Sequence, residues 1–327
     1  MEEPRPEANL LWNQTVTLHE TPPPPSSETS TDTTRQVGFA LFGAPTGTPV
    51  VYLHGLPGSR FEGLLWDKAA FKLNIKLIAL DRPGLGLSQL QSNRTLKEYP
   101  KDVACVVERL HLEQYYILGV SGGGPYAIAC ASQEGRSLLP GLQYVGVAAG
   151  LGPRNLPNNG MGIIQRMSFL AMDWVPGGLV GWFWDVMLGR AARNPDPMVF
   201  DKKIKAAFAG AKGPEMAIYD DPDVVKAMTA SLRGAFAQGG KGYVREAEIV
   251  SQDWGFELGS VSKVRMWYGE KDTLAPPAVG EALTARIPDA VCEVMLGETH
   301  TTLIALHQER ILKQLLGQVV ESESSNI

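Results

Sequence analysis

Between a strand signal and a helix signal the chain runs Gly119-Val120-Ser121-Gly122-Gly123, an order that few backbones accept. Gln114–Leu118 is a short aromatic and β-branched run of the kind that forms a buried strand. Pro125–Ala131 is alanine-rich and reads as a helix, with proline tolerated in its first turn. A serine between small residues at such a junction is the G-x-S-x-G pattern. The turn is so tight that side chains beside the serine would clash, hence the glycines. It lifts the Ser121 hydroxyl above the sheet edge. The helix N-terminus behind it offers free N–H groups and a positive dipole end to a developing oxyanion. Alone, the pentapeptide also fits a glycine-rich turn with an incidental serine.

The rest of the chain alternates strands and helices. Asn13–His19 and Gln36–Phe42 alternate like paired strands. Thr48–Leu53, Lys76–Leu80, Gln143–Ala148, Val264–Tyr268 and Cys292–Met295 read as buried strands. Helical patterns fall at Arg60–Leu73, Lys101–Leu110 (Val103, Val106, Val107 and Leu110 on one face), Ala278–Arg286 and Thr302–Val320. The expected fold is α/β, a mostly parallel eight-stranded sheet with helices on both faces. Residues 1–35 read as a strand plus a Pro/Ser/Thr-rich loop or linker around Pro22–Ser27. Residues 36–150 and 258–320 read as the core, 151–257 as a helical cap inserted where the rhythm breaks, and 321–327 as a polar tail.

Composition excludes several classes. A net charge of −5 gives no basic surface for nucleic acid. No apolar run approaches the ~20 residues of a membrane span, and Met1–Pro6 is acidic and proline-rich rather than a secretory signal. Three scattered cysteines, Cys105, Cys130 and Cys292, suggest neither a metal site nor a disulfide frame. Cys105 and Cys130 read as small core residues, and a cytoplasmic location is expected by default.

A serine hydroxyl needs a base, and the base needs a third group to fix its tautomer. His300, in Leu296–His300, and Asp272, in Tyr268–Asp272, each stand in a loop directly after a strand. In an open α/β sheet such loops converge on the site. Ser121, Asp272 and His300 then follow the order Ser…Asp…His. Each is unremarkable singly: Asp favours turns, and a histidine is often a surface residue. Their joint placement is what carries the reading. His54–Ser59 follows an early strand, and its glycines let backbone N–H groups approach a substrate. The amides of Leu56 and Gly122 are assigned to an oxyanion hole. His54 could be taken for the base, but a histidine inside a Gly/Pro turn reads as a brace for its loop; it is also assigned to the substrate pocket.

Three stretches carry a family resemblance: His54–Ser59 (His-Gly-x-Pro-Gly-Ser), Asp81–Ser88 (Asp-Arg-Pro-Gly-x-Gly-x-Ser) and Gly119–Ala127 (Gly-x-Ser-Gly-Gly-Gly-Pro-Tyr-Ala). With them the chain resembles the α/β-hydrolase superfamily, in its serine-nucleophile branch, over residues 36 to 320. Gln252–Phe256 resembles the segment that ends the cap there. The resemblance implies that Asp81–Ser88 closes the turn after its strand and shapes the pocket floor; a purely structural turn is equally compatible. Relatives often carry Gly-His where this chain has Thr299-His300. Epoxide hydrolases and dehalogenases of this fold use Asp at the elbow, so Ser121 points instead to acyl chemistry.

The cap stretch Gly160–Leu188 is rich in Trp174, Trp182, Trp184, Phe169, Phe183, Met167, Met172 and Met187. Such residues either wall a pocket for an apolar substrate or form the cap's own small core. The function expected is a serine hydrolase of an ester or related acyl bond in an apolar small molecule, without metal or organic cofactor. Acyl transfer, C–C cleavage and a slow-turnover ligand receptor remain open on the same residues.

Overall fold

Near-continuous burial along each central strand shows that the sheet is covered on both faces. The computed structural model describes residues 11–20, 33–156, 159–163, 166–167, 174–210 and 213–318. The proline run, the polar tail, Phe169 and Met172 lie outside the described residues. The strands are β1 (Gln14–Glu20), β2 (Thr33–Gly43), β3 (Thr48–Leu53), β4 (Ile75–Leu80), β5 (Tyr115–Val120), β6 (Leu142–Ala148), β7 (Val264–Gly269) and β8 (Val291–Met295). They form one eight-stranded sheet in the order β1-β2-β4-β3-β5-β6-β7-β8. β2 runs antiparallel to β1 and β4, and all other neighbours are parallel.

Because successive side chains on a strand point to opposite faces, the sheet feeds two cores. Val51, Leu53, Ile78, Leu80, Ile117, Val145 and Met266 pack on one face with helices α2 (Pro100–Arg109), α3 (Gly124–Ala131) and α10 (Pro277–Thr284), and a short α4 (Gln133–Leu138) follows α3. Val50, Tyr52, Leu77, Leu118 and Trp267 pack on the other with Trp66, Leu303, Ile311 and Leu312. Of the expected stripe in α2, Val103, Val106 and Val107 are buried, while Leu110 at the helix C-cap is only partly buried. Of the two cysteines expected in the core, Cys130 is buried, but Cys105 is partly exposed and faces β1, its thiol 3.6 Å from Thr17 O.

Two helical expectations change. Arg60–Leu73 starts as a 3-10 helix, Arg60–Trp66, and becomes α1 only over Asp67–Lys72. The single helix expected over Thr302–Val320 is two, α11 (His300–Leu306) and α12 (Gln308–Leu315), separated by His307 at φ −117°. Both pieces lay their apolar residues on the same core, so the hydrophobic pattern reads straight through the break.

From Gly177 to Ser251 between β6 and β7 the described chain is mostly helical: α5 (Gly177–Trp184), a π-helical continuation at Asp185–Gly189, α6 (Pro197–Phe208), α7 (Pro214–Asp220), α8 (Pro222–Ala235) and α9 (Lys241–Ser251). This segment has its own cluster, Phe200, Ile204, Ala235 and Phe236, with Trp184 and Tyr243 against it. Phe200 is fully buried there. Phe200→Ala is therefore expected to destabilise the fold by about 3–5 kcal/mol. Urea unfolding checks this; a loss under about 1 kcal/mol would mean that the segment repacks around the gap.

Candidate active site

The β5–α3 junction is built as tightly as its composition implies. Ser121 has φ 51°, a left-handed conformation that a non-glycine residue adopts at a cost of roughly 1–3 kcal/mol. Ser121–Gly123 make one 3-10 turn that leads into α3. A Cβ on Gly123 would come 2.1 Å from Leu53 O, and one on Gly119 would come 2.5 Å from Gly123 O. Close backbone approach, more than local flexibility, demands these glycines.

Ser121, His300 and Asp272 lie in one hydrogen-bond chain. Ser121 Oγ is 3.0 Å from His300 Nε2, and His300 Nδ1 is 2.7 Å from Asp272 Oδ2. The other Asp272 oxygen accepts from the amides of Leu274 and Ala275, both at 2.8 Å. The Asp272 side chain is fully buried and that of His300 is 13% exposed. A carboxylate held by two amides keeps its free oxygen aimed at one ring nitrogen. His300 opens α11, and Thr299 caps that helix by accepting from Thr302 N at 3.3 Å. Thr299 also donates to Glu215 Oε1 at 3.1 Å, so the residue standing in the usual glycine position ties the His300 loop to α7.

The loop after β3 comes up beside the elbow. A Cβ on Gly122 would lie 2.5 Å from Leu56 Cβ and 3.1 Å from Leu56 N, so the Gly122 and Leu56 backbones are neighbours. The Leu56 amide donates to no described residue. The Leu56–Pro57 peptide is cis. His54 is fully buried, and its Nδ1 lies 2.8 Å from Gly55 O. Burial first, and Arg82 second, push its pKa well below the ordinary histidine value. A neutral ring whose Nδ1–H donates to its own loop braces that loop. His54 has no surface to offer a pocket, which corrects its placement in the pocket wall.

Behind this loop lies a charged network that sequence reasoning missed. Arg82 donates to the carbonyl oxygens of His54 and, at 2.9 Å, Gly55. It also pairs with Glu246 of α9, which in turn receives Arg94 and the Tyr126 hydroxyl. Burial opposes charge on Glu246, but Arg82 and Arg94 outweigh it and hold its carboxyl below the ordinary value. Arg82 and Tyr126 stand inside the conspicuous motifs Asp81–Ser88 and Gly119–Ala127. Arg94 and Glu246 sit in stretches that look like ordinary solvated surface, so nothing local marks them.

Asp81 is buried and accepts from the amides of Arg60 at 2.7 Å and Leu87 at 2.8 Å, and from the Arg60 guanidinium. Ser88 Oγ closes the same turn by donating to Asp81 O at 2.7 Å. These contacts are those of a structural turn.

The three tryptophans are placed differently from the triad. Trp184 stacks in the segment's own cluster, 4.9 Å from the Tyr243 ring and 6.3 Å from Phe236. Trp182 is 63% exposed and Trp174 84%. Among the described residues, neither a hydrogen bond nor a ring contact joins any of them to Ser121, Asp272 or His300.

Among the described residues there is no group of three or more His, Cys, Asp or Glu placed to hold a metal ion, and no helix long and apolar enough to cross a membrane.

An eight-stranded, mostly parallel sheet with a serine at a strained strand-to-helix turn defines a class. Residues 48–304 match the family described as alpha/beta hydrolase fold, and the chain belongs to that family. Over 86 residues, 25% of this chain, it is 37% identical to proline iminopeptidase from Heyndrickxia coagulans, spanning 30% of that protein's length. Bromoperoxidase from Bacillus anthracis superposes with TM-score 0.64 at 17% identity, covering 94% of this chain and all of the other. The enol-lactonase from Burkholderia xenovorans LB400 gives TM-score 0.59 at 16% identity, covering 87% of this chain and 97% of the other. At such identities the likeness is one of fold.

Proposed function

We propose that the protein is a serine hydrolase that cleaves a carboxylic ester or related acyl bond of an apolar small molecule. One observation carries the reading: the chain Ser121 Oγ–His300 Nε2–Asp272 at 3.0 and 2.7 Å. Ser121 attacks the carbonyl carbon while His300 takes its proton, and Asp272 holds the ring and favours the imidazolium that forms. The amides of Leu56 and Gly122 receive the oxyanion. Collapse expels the alcohol, protonated by His300, and leaves an acyl-enzyme. Water, deprotonated by His300, then releases the acid and restores Ser121. The helices between β6 and β7 serve as the cap over this site, with 36–150 and 258–320 as the core that bears it.

The test is intact-mass measurement after a fluorophosphonate probe, with the adduct mapped. A single adduct on Ser121 is expected; absence of labelling, or labelling elsewhere, rejects the reading. The oxyanion assignment has its own check. Gly122→Ala sets a methyl 2.5 Å from Leu56 Cβ and forces the two amides apart. It is expected to lower kcat on a 4-nitrophenyl ester by about 100-fold, the size of losing one oxyanion donor. An unchanged kcat would remove these amides from the hole.

A further inference from the structure

Glu62 sits on the 3-10 turn Arg60–Trp66, just past the loop that carries Leu56, and is 6% exposed. Its two carboxyl oxygens have unlike surroundings. Oε1 accepts from the Tyr52 hydroxyl and from Gly55 N, both at 2.8 Å. Oε2 accepts from none of the described residues. Oε2 is not sealed from solvent, and a ligand that covers it without supplying a donor leaves it unpaired at a cost.

Two glycines border the space beside Oε2. A Cβ on Gly58 would lie 2.8 Å from it. A Cβ on Gly55 would lie 3.4 Å from Oε2 and 3.5 Å from Ser121 Cβ, ordinary contact distances on both sides. The acid and the serine thus share one gap, left open because Gly55 has no side chain. Burial raises the Glu62 carboxyl above its ordinary value, against the pull of Gly55 N, Tyr52, Arg82 and His300. A donor placed at Oε2 favours the ionised form, as the two donors on Oε1 already do.

We infer that Glu62 Oε2 is the acceptor for a hydroxyl or ammonium group on the substrate, close to the scissile carbonyl. The inference rests on the acyl-hydrolase reading and narrows it to an apolar molecule with one polar handle beside the bond that is cut. A few placed polar groups in an apolar pocket fix orientation in this way. A substrate lacking the donor covers Oε2 and leaves it unpaired, and sites built to hydrogen-bond a substrate discriminate strongly on that account.

Glu62→Gln tests this, because it keeps a carbonyl oxygen for Tyr52 and Gly55 and sets an NH₂ where Oε2 stands. kcat/KM is measured for matched pairs with and without the donor: 4-nitrophenyl 2-hydroxybutanoate and butanoate, methyl 2-aminobutanoate and butanoate, 2-hydroxyethyl and propyl butanoate. The protein is expected to prefer the donor-bearing ester in at least one pair, and Glu62→Gln to cut that preference by about tenfold or more. Gly55→Ala, which fills the same gap, is expected to cut it too and serves if Glu62→Gln does not fold. No preference in any pair, or one that survives both variants, overturns the inference. Fluorophosphonate labelling separates the two failures. A protein labelled at Ser121 but indifferent to the donor sinks this inference alone, whereas an unlabelled one sinks the hydrolase reading with it.

Discussion

Ser121→Ala is expected to lower kcat on a 4-nitrophenyl ester by about 10⁴-fold or more, and to abolish fluorophosphonate labelling. Removing a nucleophile of this kind takes away the covalent route as a whole, because serine, base and orienting carboxylate act as a unit. What survives is catalysis from the oxyanion donors and binding alone, some 10³–10⁴-fold over water. The alanine keeps the left-handed backbone at this position, φ 51°, so the turn itself should persist. An unchanged melting temperature would show that the loss is chemical. A kcat within tenfold of the wild type would remove Ser121 from the mechanism.

Glu246→Ala is expected to destabilise the fold by about 3–5 kcal/mol, the cost of stranding a buried charge by removing its partner. Here two guanidiniums are stranded, since Arg82 and Arg94 both pair with Glu246 and are at most 2% exposed. The measurement is urea unfolding, and a loss below about 1 kcal/mol would mean that the arginines find water or other acceptors. The effect has a pH signature. Because the folded-state pKa of Glu246 lies below the ordinary value, its ionised form stabilises the fold fully above the unfolded glutamate range near ~4.3. That contribution is lost as pH falls through the folded-state value, so the gap between wild type and variant narrows on acidification. The variant also reaches the chemistry. Arg82 holds the carbonyls of His54 and Gly55, so freeing it loosens the approach of Leu56 to the elbow. A fall in kcat of about ten- to a hundredfold is expected from such misplacement. A destabilised variant with wild-type kcat would confine the network to a structural role.

Much of the frame was legible because periodicity reports burial directly. β3, β4, β5, β6 and β7 appear within two residues of their expected bounds, since a strand covered on both faces must be apolar throughout. Periodicity does not report continuity, so α11 and α12 carry one apolar pattern across the break at His307. At Arg60–Trp66 the pattern found the helix but not its tighter winding. Trp184 illustrates a third limit: aromatic composition shows that a face is covered without showing what covers it, and its partners are Phe236 and Tyr243 of its own segment.

What the sequence determined by itself is local and chemical. The glycines around Ser121 allow only a sharp strand-to-helix turn. An Asp and a His each follow a strand, and the residue at the turn is a hydroxyl nucleophile rather than a carboxylate. Tertiary structure alone decided which groups meet across long stretches of chain. It brings Glu246 to Arg82, 164 positions away, and Ser231 to Ser59, 172 away. It also leaves one oxygen of Glu62 facing the same gap as Ser121. The physical reason is that propensity and periodicity act over a few neighbours along the chain. The pairing of a buried charge is settled only when distant segments exclude water around it and must satisfy it from whatever donors they bring.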